Sequence, residues 1–358
     1  MGFIEIKNVR VAGMSAGVPK QVIDNLSNPF NFSEDYNNSE FVSLTGVKER
    51  RVDSTLTTSD LCFKAAEQLI QDLNWEKSEI GALVFVSQSF DFMAPATACI
   101  LQDKLGLSKD CFAQDIELGC SGWIYGLITL SALMQTGFIK KGLLLCGDAR
   151  QQYVLENEEY TDPLFGYAGT VTALEYDEGN SGLRCNFGTD GSGYETIIVP
   201  HGASRNPITL KSFEVEVIEG KKFTPLQSRM KGMDVFSFGI STAPKSVKRL
   251  AEYFNYNYQE SDFFIFHQAN KKMNDSIIKK LKLPEEKVPS SLYNFGNTSS
   301  ASIPLTIVSQ LKPVLEKGIH NLTCCGFGIG LSWGTINFYV ENIKISKLVE
   351  VESYDNII

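Results

Sequence analysis

The sequence predicts an α/β protein made of two similar halves, on three observations. Short, nearly all-apolar runs such as residues 80–86 (IGALVFV) have the composition of strands buried on both faces of a sheet. Amphipathic helical runs alternate with them, which predicts parallel-rich sheets covered by helices. The third observation is a repeat. Residues 81–90 (GALVFVSQSF), 112–134 (FAQDIELGCSGWIYGLITLSALM) and 140–148 (KKGLLLCGD) match residues 261–270 (SDFFIFHQAN), 290–312 (SSLYNFGNTSSASIPLTIVSQLK) and 320–328 (HNLTCCGFG) in order and spacing. Each unit is an apolar strand with a polar end, a short strand turning through a glycine elbow into a helix, and a further strand. Residues 1–180 and 181–358 are therefore expected to be duplicated α/β halves packed face to face.

Taken in order, residues 2–12 read as one strand, and the Asn-rich stretch 25–40 as a loop or short helix ahead of TGVKERR at 45–51. Residues 59–73 (SDLCFKAAEQLIQDL) carry apolar residues at helical spacing behind a Ser N-cap, an amphipathic helix. The half-buried strand that starts at Phe112 runs into Gly119-Cys120-Ser121-Gly122 and then an apolar, helix-compatible run from Trp123 to Met134. The turn cluster DEGNSGLR at 177–184 marks the join between halves. Residues 200–233, broken by Gly and Pro, read as a surface excursion, and those after about Val340 as a charged tail without a clear partner.

With 358 residues, 43% hydrophobic and 21% charged, the chain can build a large core and is too apolar for disorder. Its net charge of −9 argues against nucleic acid or an anionic membrane surface as partner. The N-terminus MGFIEIKNVR lacks a secretory pattern, and Ile6 stands where a myristoylation signal wants Ser or Thr. No run approaches the ~18 apolar residues of a membrane helix. A cytoplasmic, soluble protein is expected. Eight cysteines without CxxC spacing, beside only three histidines, predict reduced thiols rather than disulfides or zinc.

Cys120 occupies the first elbow. The flanking glycines tolerate a tight turn that projects the side chain out of the sheet, and the following helix offers its positive end to the sulfur. Both effects favour the thiolate, which is the nucleophile; the competing reading is a small cysteine packed under a helix. By the repeat, Asn297 occupies the equivalent elbow, and His267 ends an apolar strand, where open α/β sheets place their sites. Singly, His267 reads as a satisfied strand-end histidine and Asn297 as a turn residue. The order Cys…His…Asn also suits a cysteine-protease triad. The duplication favours another use: facing elbows set His267 and Asn297 side by side opposite the sulfur, as donors to a substrate carbonyl that develops into an enolate. Gly326, Gly328 and Gly330 imitate a dinucleotide loop, but strand-like LSWGTINFYV follows instead of a helix.

The segments DIELGCSGWIYGL, FHQANKKM, FGNTSSASIP and GFGIGLSWG resemble the β-ketoacyl-acyl carrier protein synthase III family of the thiolase superfamily, from about Phe3 to Tyr339. The resemblance implies a thiolase-like fold of five αβαβα layers, a homodimer, and decarboxylating Claisen condensation in fatty-acid or secondary-metabolite synthesis. It implies that Cys120 takes an acyl group from a thioester primer. His267 and Asn297 would hold the thioester carbonyl of a malonyl-acyl carrier protein donor, and the N–H groups of Cys120 and Gly330 would form the oxyanion hole. The substrates are then thioesters of acyl carrier protein or coenzyme A, with no cofactor. An acyltransferase passing the group from Cys120 to an alcohol or amine is the alternative. A non-catalytic scaffold is disfavoured because all three polar residues are kept.

The chain departs from the family pattern in places. Members primed by coenzyme A usually carry an aromatic residue and an arginine ahead of the TG-x-R/K-E-R motif; Glu40 and Leu44 stand there, which disfavours that primer carrier. Tyr167 replaces the Asp of an Asp-Gly-Ala-Gly stretch. The loop FDFMAP at 90–95 resembles one that closes the acyl channel of the other subunit. Its Phe92, Met93 and Ala94, with Tyr167 and Phe327, are the expected pocket residues, for a primer longer or bulkier than acetyl. An acidic carrier protein calls for a basic surface, which Lys271, Lys272, Lys279 and Lys280 offer on the helix after HQAN, with Lys248 and Arg249 as further candidates.

Overall fold

The computed structural model describes residues 2–27, 37–149, 162–218 and 221–352. The N-terminus forms two strands where one was expected, β1 (Gly2–Ile6) and β2 (Val9–Pro19). Between them Asn8 takes a left-handed φ of 62°, which Asn tolerates better than most residues, and the break sends the two strands into different sheets. β3 (Val22–Asp24) and β4 (Glu49–Arg51) pair as a ribbon beside α1 (Asn38–Thr45); the rest of the Asn-rich stretch, 28–36, lies outside the described residues. In α2 (Thr58–Asp72) the predicted Ser cap, Ser59, lies inside the helix. Thr57 caps it instead: its hydroxyl accepts from the Asp60 N–H and the Asp60 carboxylate accepts from the Thr57 N–H, a reciprocal pair that outcompetes a lone serine. The first half continues through β5 (Ile80–Ser87), α3 (Thr97–Lys104), β6 (Phe112–Glu117), α4 (Gly122–Met134), β7 (Lys141–Asp148) and β8 (Ala168–Tyr176).

After the turn at 177–182 comes β9 (Leu183–Thr189). Short strands follow, β10 (Ile197–Ile198) ahead of the excursion and β11 (Glu216–Ile218), β12 (Lys221–Phe223) and β13 (Arg229–Met230) within it. α5 (Gly232–Tyr253), β14 (Phe263–Phe266), α6 (Lys271–Leu281), α7 (Leu292–Phe295), α8 (Ser302–Gln310), α9 (Lys312–Leu315), β15 (Ile319–Gly328) and β16 (Ser332–Glu341) follow. The short strand expected before the second elbow is the helical turn α7. Its buried residues, Leu292 and Phe295, are three apart, a helical spacing that an alternating strand would not bury. The predicted unpartnered tail also finds a place: β17 (Lys344–Ile345) and β18 (Val349–Val351) run parallel to β2, burying Ile343, Ile345 and Val351.

One sheet has the order β17-β2-β8-β7-β5-β6, with β18 also on β2; the other has the order β1-β9-β16-β15-β14. They are mixed rather than parallel-rich, since β2, β8 and β7 pair antiparallel, as do β15, β16, β9 and β1. Alternation along β5 sorts the layers. Ala82, Val84 and Val86 face inward to α4 and α8, between the sheets, while Leu83 and Phe85 face outward to α2 and α3. On the far side, Phe264, Phe266, Cys325 and Phe327 pack against α5 and α6. The result is five layers, αβαβα. α2 lies close on β2 and β8 because Gly17 and Gly169 carry no Cβ; one on either would overlap backbone atoms of Leu61 or Cys62.

Candidate active site

β6 ends at Glu117, and the Gly122 N–H donates to the Gly119 carbonyl at 2.6 Å, closing a tight turn with Cys120 and Ser121 inside it. Cys120 is thus half-buried just ahead of the 13-residue α4. The Ser121 hydroxyl lies 2.7 Å from Ser332 Oγ, and Ser332 donates to the Ile329 carbonyl at 2.7 Å, tying the elbow to the loop between β15 and β16. Gly328, the last residue of β15, lies flat against the thiol: a Cβ there would sit 2.5 Å from Cys120 Cβ and 2.8 Å from Sγ. All eight cysteines are thiols. Burial pushes Cys62, Cys146, Cys185, Cys324 and Cys325 well above the usual thiol range, and Cys111 up to about 11, so these six are poor nucleophiles.

His267 follows β14, and its N–H donates to the Cys325 carbonyl at 2.9 Å. Its Nδ1 lies 2.8 Å from Ser302 Oγ, and its ring meets that of Phe327 edge-on, with centroids 5.7 Å apart. The ring is buried. Burial pushes its pKa down to about 3, against an opposing hydrogen bond to the Ser299 backbone, so the imidazole is neutral at pH 7. The rest of the motif is supporting structure. Gln268 accepts from the Ser290 hydroxyl at 2.7 Å and the Ser291 N–H at 3.2 Å, and Asn270 caps α6 by accepting from the Met273 N–H at 2.9 Å.

Asn297 lies between α7 and α8. Its N–H donates to the Leu164 carbonyl at 2.9 Å and its carbonyl accepts from the Gly166 N–H at 3.1 Å. That 163–166 strap is held by the buried Arg50, whose Nη1 donates to the Phe165 carbonyl at 3.2 Å, and by Asn25, whose Nδ2 donates to the Pro163 carbonyl at 2.9 Å. Asn297 Oδ1 accepts from the Ser299 N–H at 2.9 Å, which orients the amide and leaves its NH2 to donate elsewhere. The elbows meet: a Cβ on Gly122 would come 3.3 Å from Ser300 Cβ, and Phe327, against His267, adjoins Gly328, against Cys120. Neighbours of Asn297 and His267, namely Ser300 and the Phe327–Gly328 pair, thus pack on the Cys120 elbow.

Other candidates are dispersed. Gly330 takes a φ of 139° in the β15–β16 loop, between Gly328 and Ile329 on one side and Ser332 on the other, all three of which touch the cysteine elbow. Phe92, Met93 and Ala94 are exposed, Met93 almost fully at 96%. Tyr167 is buried in a separate small cluster with Leu56, Leu61, Ala149 and Val351. Lys271 pairs with Asp275 at 2.5 Å and Lys280 donates to the Ile240 carbonyl at 3.0 Å, whereas Lys272 and Lys279 are exposed and make no ion pair among the described residues. Lys280 shares a shallow groove with Lys245, Lys248 and Arg249 between α5 and α6. Among the described residues no helix is long and apolar enough to cross a membrane. Sequence reasoning missed Ser121, Ser302, Ser332, Gln268, Arg50 and Asp148. Only Asp148 had a usable signal, being a polar residue at the end of an apolar strand, the rule that found His267.

Comparison with known proteins agrees with this architecture. Family profiles described as 3-oxoacyl-[acyl-carrier-protein] synthase III and its C-terminal part match residues 114–191 and 252–339. The β-ketoacyl-[acyl-carrier-protein] synthase III of Clostridium acetobutylicum is 30% identical, over 92% of this chain and 98% of its own. A crystal structure of a 3-oxoacyl-(acyl-carrier protein) synthase from Burkholderia xenovorans superimposes with a TM-score of 0.90 at 36% identity, covering 98% of this chain and 99% of that one. OleA of Xanthomonas campestris, at 19% identity and a TM-score of 0.75 over 94% of this chain and 98% of its own, shares the fold. The chain belongs to the β-ketoacyl-acyl carrier protein synthase III family, on the thiolase-like fold.

Proposed function

We propose that this chain is a condensing enzyme of the 3-oxoacyl-acyl carrier protein synthase III type, joining an acyl primer to malonyl-acyl carrier protein with loss of CO2. The reading is supported by a half-buried elbow thiol whose neighbours pack against those of a neutral imidazole and an oriented carboxamide. The half up to residue 180 brings the nucleophile and the half from 181 the two donors.

In the first step the Cys120 thiolate attacks the primer's thioester carbonyl, and the primer's carrier leaves as a thiol. Backbone N–H groups of Cys120 and of the β15–β16 loop, for which Gly330 is the nominee, hold the tetrahedral oxyanion. In the second step malonyl-acyl carrier protein places its thioester carbonyl at His267 and Asn297. The bond to its carboxylate breaks, CO2 leaves, and the electron pair moves onto the carbonyl oxygen as an enolate. A neutral imidazole keeps one N–H, which can donate a hydrogen bond to the carbonyl and to the enolate oxygen that develops from it. Nδ1 faces the Ser302 hydroxyl, and Nε2 is the ring nitrogen assigned here to the substrate carbonyl. The enolate carbon then attacks the acyl-cysteine carbonyl, the C–S bond breaks, and the Cys120 thiolate is regenerated.

Glu40 and Leu44 are exposed on α1, where a carboxylate repels the phosphates of coenzyme A, so the primer arrives on another carrier. CO2 release from malonyl-acyl carrier protein tests the reading: the wild type should release it, and His267→Ala and Asn297→Ala should each lose at least about a hundredfold in rate. Release unaffected by either change would sink the assignment.

A further inference from the structure

We propose that Asp148 is a positioning residue for the decarboxylation step, holding the Asn297 elbow in register with the Cys120 elbow. This rests on the function proposed above. Asp148 ends β7 and is 3% exposed. Its Oδ1 accepts from the Gln88 N–H at 2.7 Å, the Ser87 hydroxyl at 3.1 Å and the Ser89 hydroxyl at 3.4 Å, all at the end of β5. Its Oδ2 reaches into the other half and accepts from the Ser300 hydroxyl at 3.3 Å.

Each arm leads to the site through one residue. Ser300 is three positions beyond Asn297, buried, and packed on Gly122, two positions beyond Cys120. Gln88 lies against Gly119, where a Cβ would overlap its amide oxygen, and its Nε2 donates to Glu117 at 3.1 Å. Four donors among the described residues converge on Asp148. A carboxylate, which accepts at both oxygens and donates at neither, satisfies all four, whereas an amide would turn an NH2 toward one of them.

The two arms differ in what they support. The Cys120 turn is already closed by its own Gly119–Gly122 hydrogen bond, so acyl transfer to the sulfur survives loss of the Ser300 arm. The Asn297 amide must meet the enolate oxygen to within a fraction of an ångström, and only the second step feels its displacement.

The test uses full-length Ser300→Ala and Asp148→Asn and follows two half-reactions: acyl-Cys120 formation by intact mass, and CO2 release from malonyl-acyl carrier protein. Both variants should lose about tenfold or more in CO2 release while acylating within about twofold of wild type. Parallel loss of both half-reactions would mark a general structural role and overturn the proposal; so would wild-type CO2 release in both variants. A wild type that releases no CO2 overturns the condensation reading and this one with it.

Discussion

Burial holds the His267 ring neutral, and stability follows from that as well as chemistry. Its folded pKa of about 3 lies below the unfolded value of 6.5, so between these pH values the unfolded chain binds a proton that the folded chain does not. Stability from this group is complete above pH 6.5 and is lost as pH falls toward 3. Between pH 7.5 and 4.5 the wild type should therefore lose about 2–3 kcal/mol more than His267→Gln in urea unfolding; equal losses would mean the ring is protonated in the fold. At the opposite wall, Gly328→Ala drives a Cβ into Cys120. Cys120 acylation should fall at least about a hundredfold with far-UV dichroism unchanged, and normal acylation would refute that contact. The three candidate residues stood out in the sequence because each interrupts an apolar pattern at a strand end or elbow. Ser302 and Ser332 did not, since a serine beside an elbow looks like any turn residue until its partner is known. Tyr167 was placed in the substrate pocket by the family pattern; it lies instead under β18, whose pairing no local signal announces.

At the scale of elements, the helices and strands with strong periodicity were legible and their ends were less so. The Thr57 cap shows why: Ser59 and Thr57 both suit the role, and the choice rests on Asp60 returning the hydrogen bond. α7 shows a different limit, because four residues are too few for a period to be told from a strand. The seating of α2 was illegible, since Gly17 and Gly169 act only through a neighbour distant in sequence. Gly169→Ala should lower unfolding stability by about 2 kcal/mol or more. A loss below about half of that would show that the helix can ride outward at little cost.

Across the whole molecule, the duplication was legible as a repeat, but the exchange of its ends was not. β1 joins the second sheet and β17 and β18 the first, so the halves are laced together by strands from the opposite terminus. Among the described residues β6 is an edge strand, and the apolar Phe92 and Met93 are exposed. A second copy of the chain there would cover both. Sedimentation should show a homodimer that Phe92→Asp with Met93→Asp weakens; a wild-type monomer would refute it. Lys272 and Lys279 remain as candidate docking cations. Reversing both to Glu should raise KM for malonyl-acyl carrier protein about tenfold while leaving a small thioester donor unaffected, and an unchanged KM would remove them.

Cys120, His267 and Asn297 are proposed to act together on successive steps. Intact-protein mass, read after a medium-chain acyl thioester and again after malonyl-acyl carrier protein, tests this most directly. The wild type should gain one acyl group on Cys120 and then lose it, while Asn297→Ala gains the group and keeps it. An adduct on another residue, or discharge by Asn297→Ala at the wild-type rate, would contradict the account.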